Sequence, residues 1–173
     1  LVRHYPLAEQ FSHTLGYVGR INAKEQERIY ADPEKRANYA ATNYIGKIGL
    51  EQFYESRLHG KSGSQYVETN AHGKVLRVLQ QFDPQPGEEL ILSVDARLQA
   101  AVYGMLEGKR GSVVVLDVKT GEVLSMVSAP SYNPNLFVTG ISEEAYGELR
   151  DSIDLPLFNR SLQGQYLSLI HIS

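Results

Sequence analysis

Gly111-Ser112-Val113-Val114-Val115-Leu116-Asp117-Val118-Lys119-Thr120-Gly121-Glu122-Val123-Leu124-Ser125-Met126-Val127-Ser128 reads as two β-rich runs folded back on one another. Lys119-Thr120-Gly121 is the turn, with Gly121 supplying the positive φ that a side chain resists. The near-continuous valines of Val113 to Val118 predict a strand buried on both faces, inside a sheet. Upstream, Asp95 is a cap for a helix from Ala96 to about Gly108, whose apolar stripe is predicted as Leu98, Val102, Met105 and Leu106. Glu89 to Ser93 reads as a strand. Downstream, Pro130 to Pro134 reads as loop, and Ser142 caps a helix to Leu149.

Asp83-Pro84-Gln85-Pro86-Gly87 is the strongest punctuation in the chain and reads as a linker or domain boundary. Before it, Gln65 to Thr69 and Lys74 to Gln80 flank Asn70-Ala71-His72-Gly73 as a hairpin. Leu50 to Leu58 reads as one helix with Leu50, Phe53, Tyr54 and Leu58 on its apolar face, entered through a bend at Gly46 and Gly49 and stopped at Gly60. Ala23 to Tyr30 is a polar helix with Asn22 as its cap and Glu25 at the third position, broken at Asp32-Pro33. Helices and strands are thus interspersed with hairpins, and the predicted class is α+β.

The 173 residues suffice for one domain or parts of two. With 42% hydrophobic and 21% charged residues, a packed core is expected. A net charge of -3, without a Lys/Arg run, argues against a nucleic-acid partner. The absence of cysteine excludes disulfides, a thiolate nucleophile and a Cys-ligated metal. His4, His13, His59, His72 and His171 show no metal-ligand spacing, so no metal or other cofactor is expected. His13 is read as a packing or hydrogen-bonding residue. Gly46-Lys47-Ile48-Gly49 lacks the spacing of a phosphate loop. Tyr5, Tyr17, Tyr39, Tyr44 and Tyr54 suit either a contact surface or a half-buried shell, and the shell is the favoured reading. Leu1 to Pro6 has none of the features of a signal peptide. The chain is expected to begin inside a longer protein, with any membrane anchor upstream.

Several blocks fall into one order. Arg3-x-Tyr5-Pro6 is followed by His13-x-Leu15-Gly16-Tyr17-Val18-Gly19 and Gly46-Lys47-x-Gly49-Leu50-Glu51. Pro86-Gly87 precedes Leu92-Ser93-Val94-Asp95-x-x-Leu98-Gln99, then Gly111 to Val127, Ala129-Pro130-Ser131-Tyr132-Asn133-Pro134-Asn135 and Pro156-Leu157-x-Asn159-Arg160. This order resembles the class B penicillin-binding proteins. Asn38-Tyr39-Ala40-Ala41-Thr42 and Asn135-Leu136-Phe137-Val138-x-Gly140-Ile141-Ser142 point to the rod-shape (elongation) branch. Asn133 is a departure, because the family commonly carries Asp there.

The resemblance implies the C-terminal part of a pedestal (dimerisation) domain at residues 1–87, followed at 88–166 by the truncated start of a serine transpeptidase domain of the penicillin-binding/β-lactamase-like type. It implies a peptidoglycan D,D-transpeptidase that cross-links stem peptides during elongation through a serine acyl-enzyme, binds β-lactams, and sits at the periplasmic face of the bacterial inner membrane. The implied partners are a cell-shape scaffold protein and a glycosyltransferase. A non-catalytic module docking the same elongation partners is the alternative.

The family's site needs Ser-x-x-Lys, then Ser-x-Asn, then Lys-Thr/Ser-Gly. None of the seven lysines has serine three positions before it, so no catalytic residue is expected in this chain. Lys119-Thr120-Gly121 and Ser131-Tyr132-Asn133 match two of the motifs in the wrong order, and are read as turn and loop. The nucleophile is expected just after Tyr166. There Leu167 to Ser173 matches nothing in the family and is expected to be a non-native tail, with a genuine apolar strand as the alternative. Asn159 and Arg160 fall just upstream of that nucleophile, and Arg160 is expected to be a buried or bidentate structural support of that segment, with a direct substrate contact as the alternative.

Overall fold

The computed structural model describes residues 3–165; Tyr166 and the Leu167–Ser173 tail lie outside them. Helix α1 (Ala8–Leu15) leads into strand β1 (Val18–Arg20), helices α2 (Ala23–Tyr30) and α3 (Pro33–Tyr39), and strand β2 (Tyr44–Gly46). Two short helices follow, α4 (Gly49–Phe53) and α5 (Glu55–Leu58), then the hairpin β3 (Ser64–Thr69) and β4 (Val75–Phe82). The remainder holds α6 (Ala96–Met105), β5 (Gly111–Leu116), β6 (Val123–Ala129), α7 (Asn135–Thr139), α8 (Glu143–Asp151) and α9 (Arg160–Gln163). Among the described residues the strands form three separate antiparallel pairs, β1–β2, β3–β4 and β5–β6. The class is α+β.

Local chemistry sets most boundaries. Asn22 accepts from Glu25 N while the Glu25 carboxylate accepts from Asn22 N, closing a capping box on α2. Asp32 ends α2 but also caps α3, with Pro33 at its first position, a helix the sequence reading lacks. Ser142 caps α8 through Ala145 N. Asp117 Oδ1 accepts from the amides of Lys119 and Thr120, and Gly121 has φ +78°, so Lys119-Thr120-Gly121 is the turn expected between β5 and β6.

Four expectations are corrected. Leu50 to Leu58 is two helices broken at Tyr54, and it buries Glu51 while Phe53 stands 77% exposed. The buried carboxylate is tolerated because three donors, two from Arg3 and one from Tyr5, surround it. Glu89 to Ser93 is not a strand, because it has no ladder partner among the described residues; the backbone joins β6 only at Asp95 N, which donates to Leu124 O. In α6 the predicted stripe fails at Met105, which is 70% exposed; Val102 is buried, Leu98 and Leu106 are half-buried, and Gln99 joins them on the inward face. Strand β5 is not buried on both faces: among the described residues only β6 pairs with it, and Val114 and Leu116 are exposed.

The 83–87 punctuation is pinned to the chain before it. Lys61 and Gln85 exchange both backbone hydrogen bonds, and Glu88 N donates to Arg57 O. The main core forms where α1, α6 and β6 meet, around Phe11, Val102, Val127 and Ala129, with Tyr132 and Val138 closing one side. Helix α1 therefore packs against elements that lie beyond residue 88. Its exit crosses the start of α4 so closely that a Cβ at Gly16 would overlap the Ile48 carbonyl, and both Gly16 and Gly49 hold positive φ, +76° and +65°.

Candidate functional site

The densest polar arrangement lies at the junction of α1, β6, the 130–135 loop and α9. Gln99, on α6, has no exposed surface. Its Nε2 donates to Gln10 O and Met126 O, both at 2.8 Å, and its Oε1 accepts from Ser125 Oγ at 2.8 Å and Met126 N at 2.9 Å. One amide thus fills its whole hydrogen-bonding capacity and ties three elements together. Thr14 Oγ1 donates to Met126 O, and the Ser12 and Ser131 hydroxyls meet at 2.5 Å.

Ser131-Tyr132-Asn133 is the loop the sequence predicted. Ser131 donates to Glu9 O, Tyr132 is buried, and Asn133 Oδ1 accepts from the backbone and side-chain nitrogens of Asn135. Asn135 in turn exchanges two hydrogen bonds with the backbone of Tyr5. His13 is buried with its ring edge-on to Tyr132 at 5.3 Å, a packing residue as expected. Burial pulls its pKa down to about 4, helped by the Arg160 charge and opposed by the carbonyls of Pro156 and Pro130.

Arg160 is buried, as predicted, and spends its guanidinium on main chain. Nη1 donates to Leu155 O at 3.1 Å and Nη2 to Asp154 O at 2.5 Å, while its own amide donates to Ser128 Oγ at 2.9 Å. It thereby clamps a turn in which Leu155, without the freedom of glycine, takes φ +45°. Asn159 caps α9 through Ser161 N and Leu162 N and donates to His13 O; Ser161 Oγ donates to Val127 O. The short helix α9 is held from both sides before the chain leaves the described residues.

A second cluster joins the first block of the sequence to the third. Glu51, 6% exposed, accepts from Arg3 Nε at 2.7 Å, Arg3 Nη2 at 3.1 Å and Tyr5 Oη at 3.2 Å, and Tyr5 Oη accepts from Val18 N. The Glu51 hydrogen bond raises the Arg3 pKa, and burial raises that of Tyr5. A cavity of about 820 Å³ opens beside it, walled by Phe11, Leu15, Leu50, Leu90 and Val94. Tyr17, Tyr39, Tyr44 and Tyr54 are half-buried and Tyr5 is buried, which is the shell arrangement. Sequence reasoning named Glu51 and Gln99 only within blocks. Each is a polar residue on an otherwise inward helical face, and that was the available signal. Lys119 is exposed at the β5–β6 turn and is not among the contacts of either cluster, and no group of three metal-ligating side chains occurs among the described residues.

Comparison with known proteins places these clusters in a family. Residues 1–92 match the penicillin-binding protein dimerisation domain, and residues 111–167 match the penicillin-binding protein transpeptidase domain. The peptidoglycan D,D-transpeptidase MrdA of Acinetobacter baumannii is 51% identical over 96% of the chain, and that of Escherichia coli K12 is 48% identical over 95%. The chain spans about a quarter of those relatives' length, 24% and 26%. Among solved structures, Pseudomonas aeruginosa PBP2 in complex with WCK 5153 superposes with a TM-score of 0.77 at 52% identity, over 94% of this chain and 31% of that one. The complex between PBP2 and MreC from Helicobacter pylori gives 0.80 at 36% identity, over 92% and 28%. With both domain matches in that order along the sequence, the chain belongs to the penicillin-binding protein family, as a dimerisation-domain portion running into the start of a transpeptidase domain.

Proposed function

We propose that the protein carrying this chain is a peptidoglycan D,D-transpeptidase of cell elongation, anchored in the bacterial inner membrane with its catalytic domain on the periplasmic side. The observation that carries the reading is 51% identity, over 96% of the chain, to a relative of that name. A serine hydroxyl attacks the carbonyl of a D-Ala-D-Ala bond and the terminal D-Ala departs as the amine with the serine's proton; an amine of a neighbouring stem peptide then attacks the resulting ester, forming the cross-linking amide and releasing the serine with its hydroxyl restored by the amine's proton. No cofactor is needed for either acyl transfer. The chain's own part is support: Asn159, Arg160 and Ser161 fix α9, the segment leading to the expected Ser-x-x-Lys. Fluorescent penicillin followed by a denaturing gel tests this. A labelled full-length protein and an unlabelled 173-residue chain are expected; an unlabelled full-length protein, or a labelled chain, overturns it.

A second activity is proposed for the same protein: docking of a cell-shape scaffold and a glycosyltransferase by the dimerisation part. The scaffold half is favoured by the similarity to Helicobacter pylori PBP2 solved with MreC. Full-length protein with its nucleophile replaced should still be retained on immobilised scaffold protein. Loss of retention would tie docking to acylation and remove the separate module.

A further inference from the structure

Asn159 divides its side chain between two elements. Its Oδ1 accepts from Ser161 N at 3.1 Å and Leu162 N at 3.3 Å, capping α9, while its Nδ2 donates to His13 O at 3.2 Å in the last turn of α1. A cap needs only the oxygen, which Asp or Ser supplies as well. The amide adds a donor on the same rigid plane, so the cap cannot turn without moving the donor. The His13 carbonyl is one of the C-terminal carbonyls that a helix leaves without an internal partner. Helix α1 is itself located by other contacts: the Ser12–Ser131 hydroxyl pair, Thr14 on Met126 O, and the Gly16 crossing over α4. It lies within the residues matched by the dimerisation domain, while α9 lies within the transpeptidase match.

We propose that Asn159 is a positioning residue, making the register of α9 depend on the position of α1, so that displacement of the dimerisation part reaches the segment that carries the nucleophile. The consequence for acylation rests on the transpeptidase reading; the coupling between the helices does not.

The test is a two-by-two comparison in the full-length protein: unaltered, Ser12→Ala, Asn159→Ser, and both. Ser12→Ala removes the α1 hydroxyl from Ser131 without touching α9. Hydrogen exchange of the Leu162 and Gln163 amides is the first readout. With Asn159 present, Ser12→Ala should speed their exchange about fivefold, the weight of one ordinary hydrogen bond; in the Asn159→Ser background the effect should shrink below about twofold. Equal effects in both backgrounds overturn the proposal. Penicillin acylation rate is the second readout, expected to fall about fivefold in Asn159→Ser. An unchanged rate in a protein that does acylate also overturns it. If the unaltered protein takes no penicillin, the transpeptidase reading fails and the exchange comparison alone decides the coupling. Asn159→Asp keeps the cap oxygen and lacks the donor, and replaces the Asn159→Ser variant if that one fails to fold.

Discussion

At the scale of residues, Gln99 and Arg160 show how buried polarity specifies the packing. Gln99→Leu keeps the volume but strands the Met126 amide and the Ser125 hydroxyl, and takes one donor each from the Gln10 and Met126 carbonyls. It should cost about 3 kcal/mol, read from the denaturant midpoint. Arg160→Lys keeps the charge but cannot span the Leu155 and Asp154 carbonyls with one planar fork, so a loss of about 2 kcal/mol is expected from the same measurement. His13 adds a pH dependence. Its folded pKa of about 4 lies below the ordinary value of 6.5, so between those values the unfolded chain binds more protons. The contribution is whole above pH 6.5, shrinks as pH falls, and is spent near pH 4 after a loss of about 3 kcal/mol. Denaturation midpoints of the full-length protein at about pH 7.5 and about pH 5 should diverge, and His13→Gln should narrow the gap.

At the scale of elements, the β5–β6 turn separates a motif in letters from a motif in space. Lys119-Thr120-Gly121 spells a catalytic signature, yet its amides are spent on Asp117 and its lysine is exposed. Lys119→Ala should leave penicillin acylation of the full-length protein unchanged. Gly121→Ala should cost about 1 kcal/mol in thermal unfolding, because φ of +78° strains any Cβ. Caps are the most legible features. Asn22, Asp95 and Ser142 follow from local residue order, since a cap is decided within about four residues. Helix faces are less so: within α6 Gln99 shows only as a polar residue on an otherwise inward face, and the partners that hold it there, Ser125 and Met126, lie on β6.

At the scale of the whole molecule, the uncovered surfaces matter most. Tyr66, Leu76 and Leu79 of the β3–β4 hairpin are about 60% exposed, and Leu116 of β5 is 54% exposed. Two-stranded ribbons with bare apolar faces are marginal and invite edge pairing. The 173-residue chain alone should aggregate in size-exclusion chromatography with light scattering, whereas the full-length protein should elute as a defined species; a cooperatively melting, monodisperse chain would contradict this. The sequence by itself determined the family, the hairpins, the turn at Lys119 to Gly121, and the absence of Ser-x-x-Lys, because each is written in local spacing or in the order of blocks. Only the tertiary structure decided that α1 packs on β6, that Glu51 rather than Phe53 goes inside, and that Asn159 joins α1 to α9. Those outcomes depend on which donors and acceptors meet across distant parts of the chain, 46 residues for Tyr5 and Glu51, 119 for Ser12 and Ser131 and 146 for His13 and Asn159, and no local pattern encodes such a meeting.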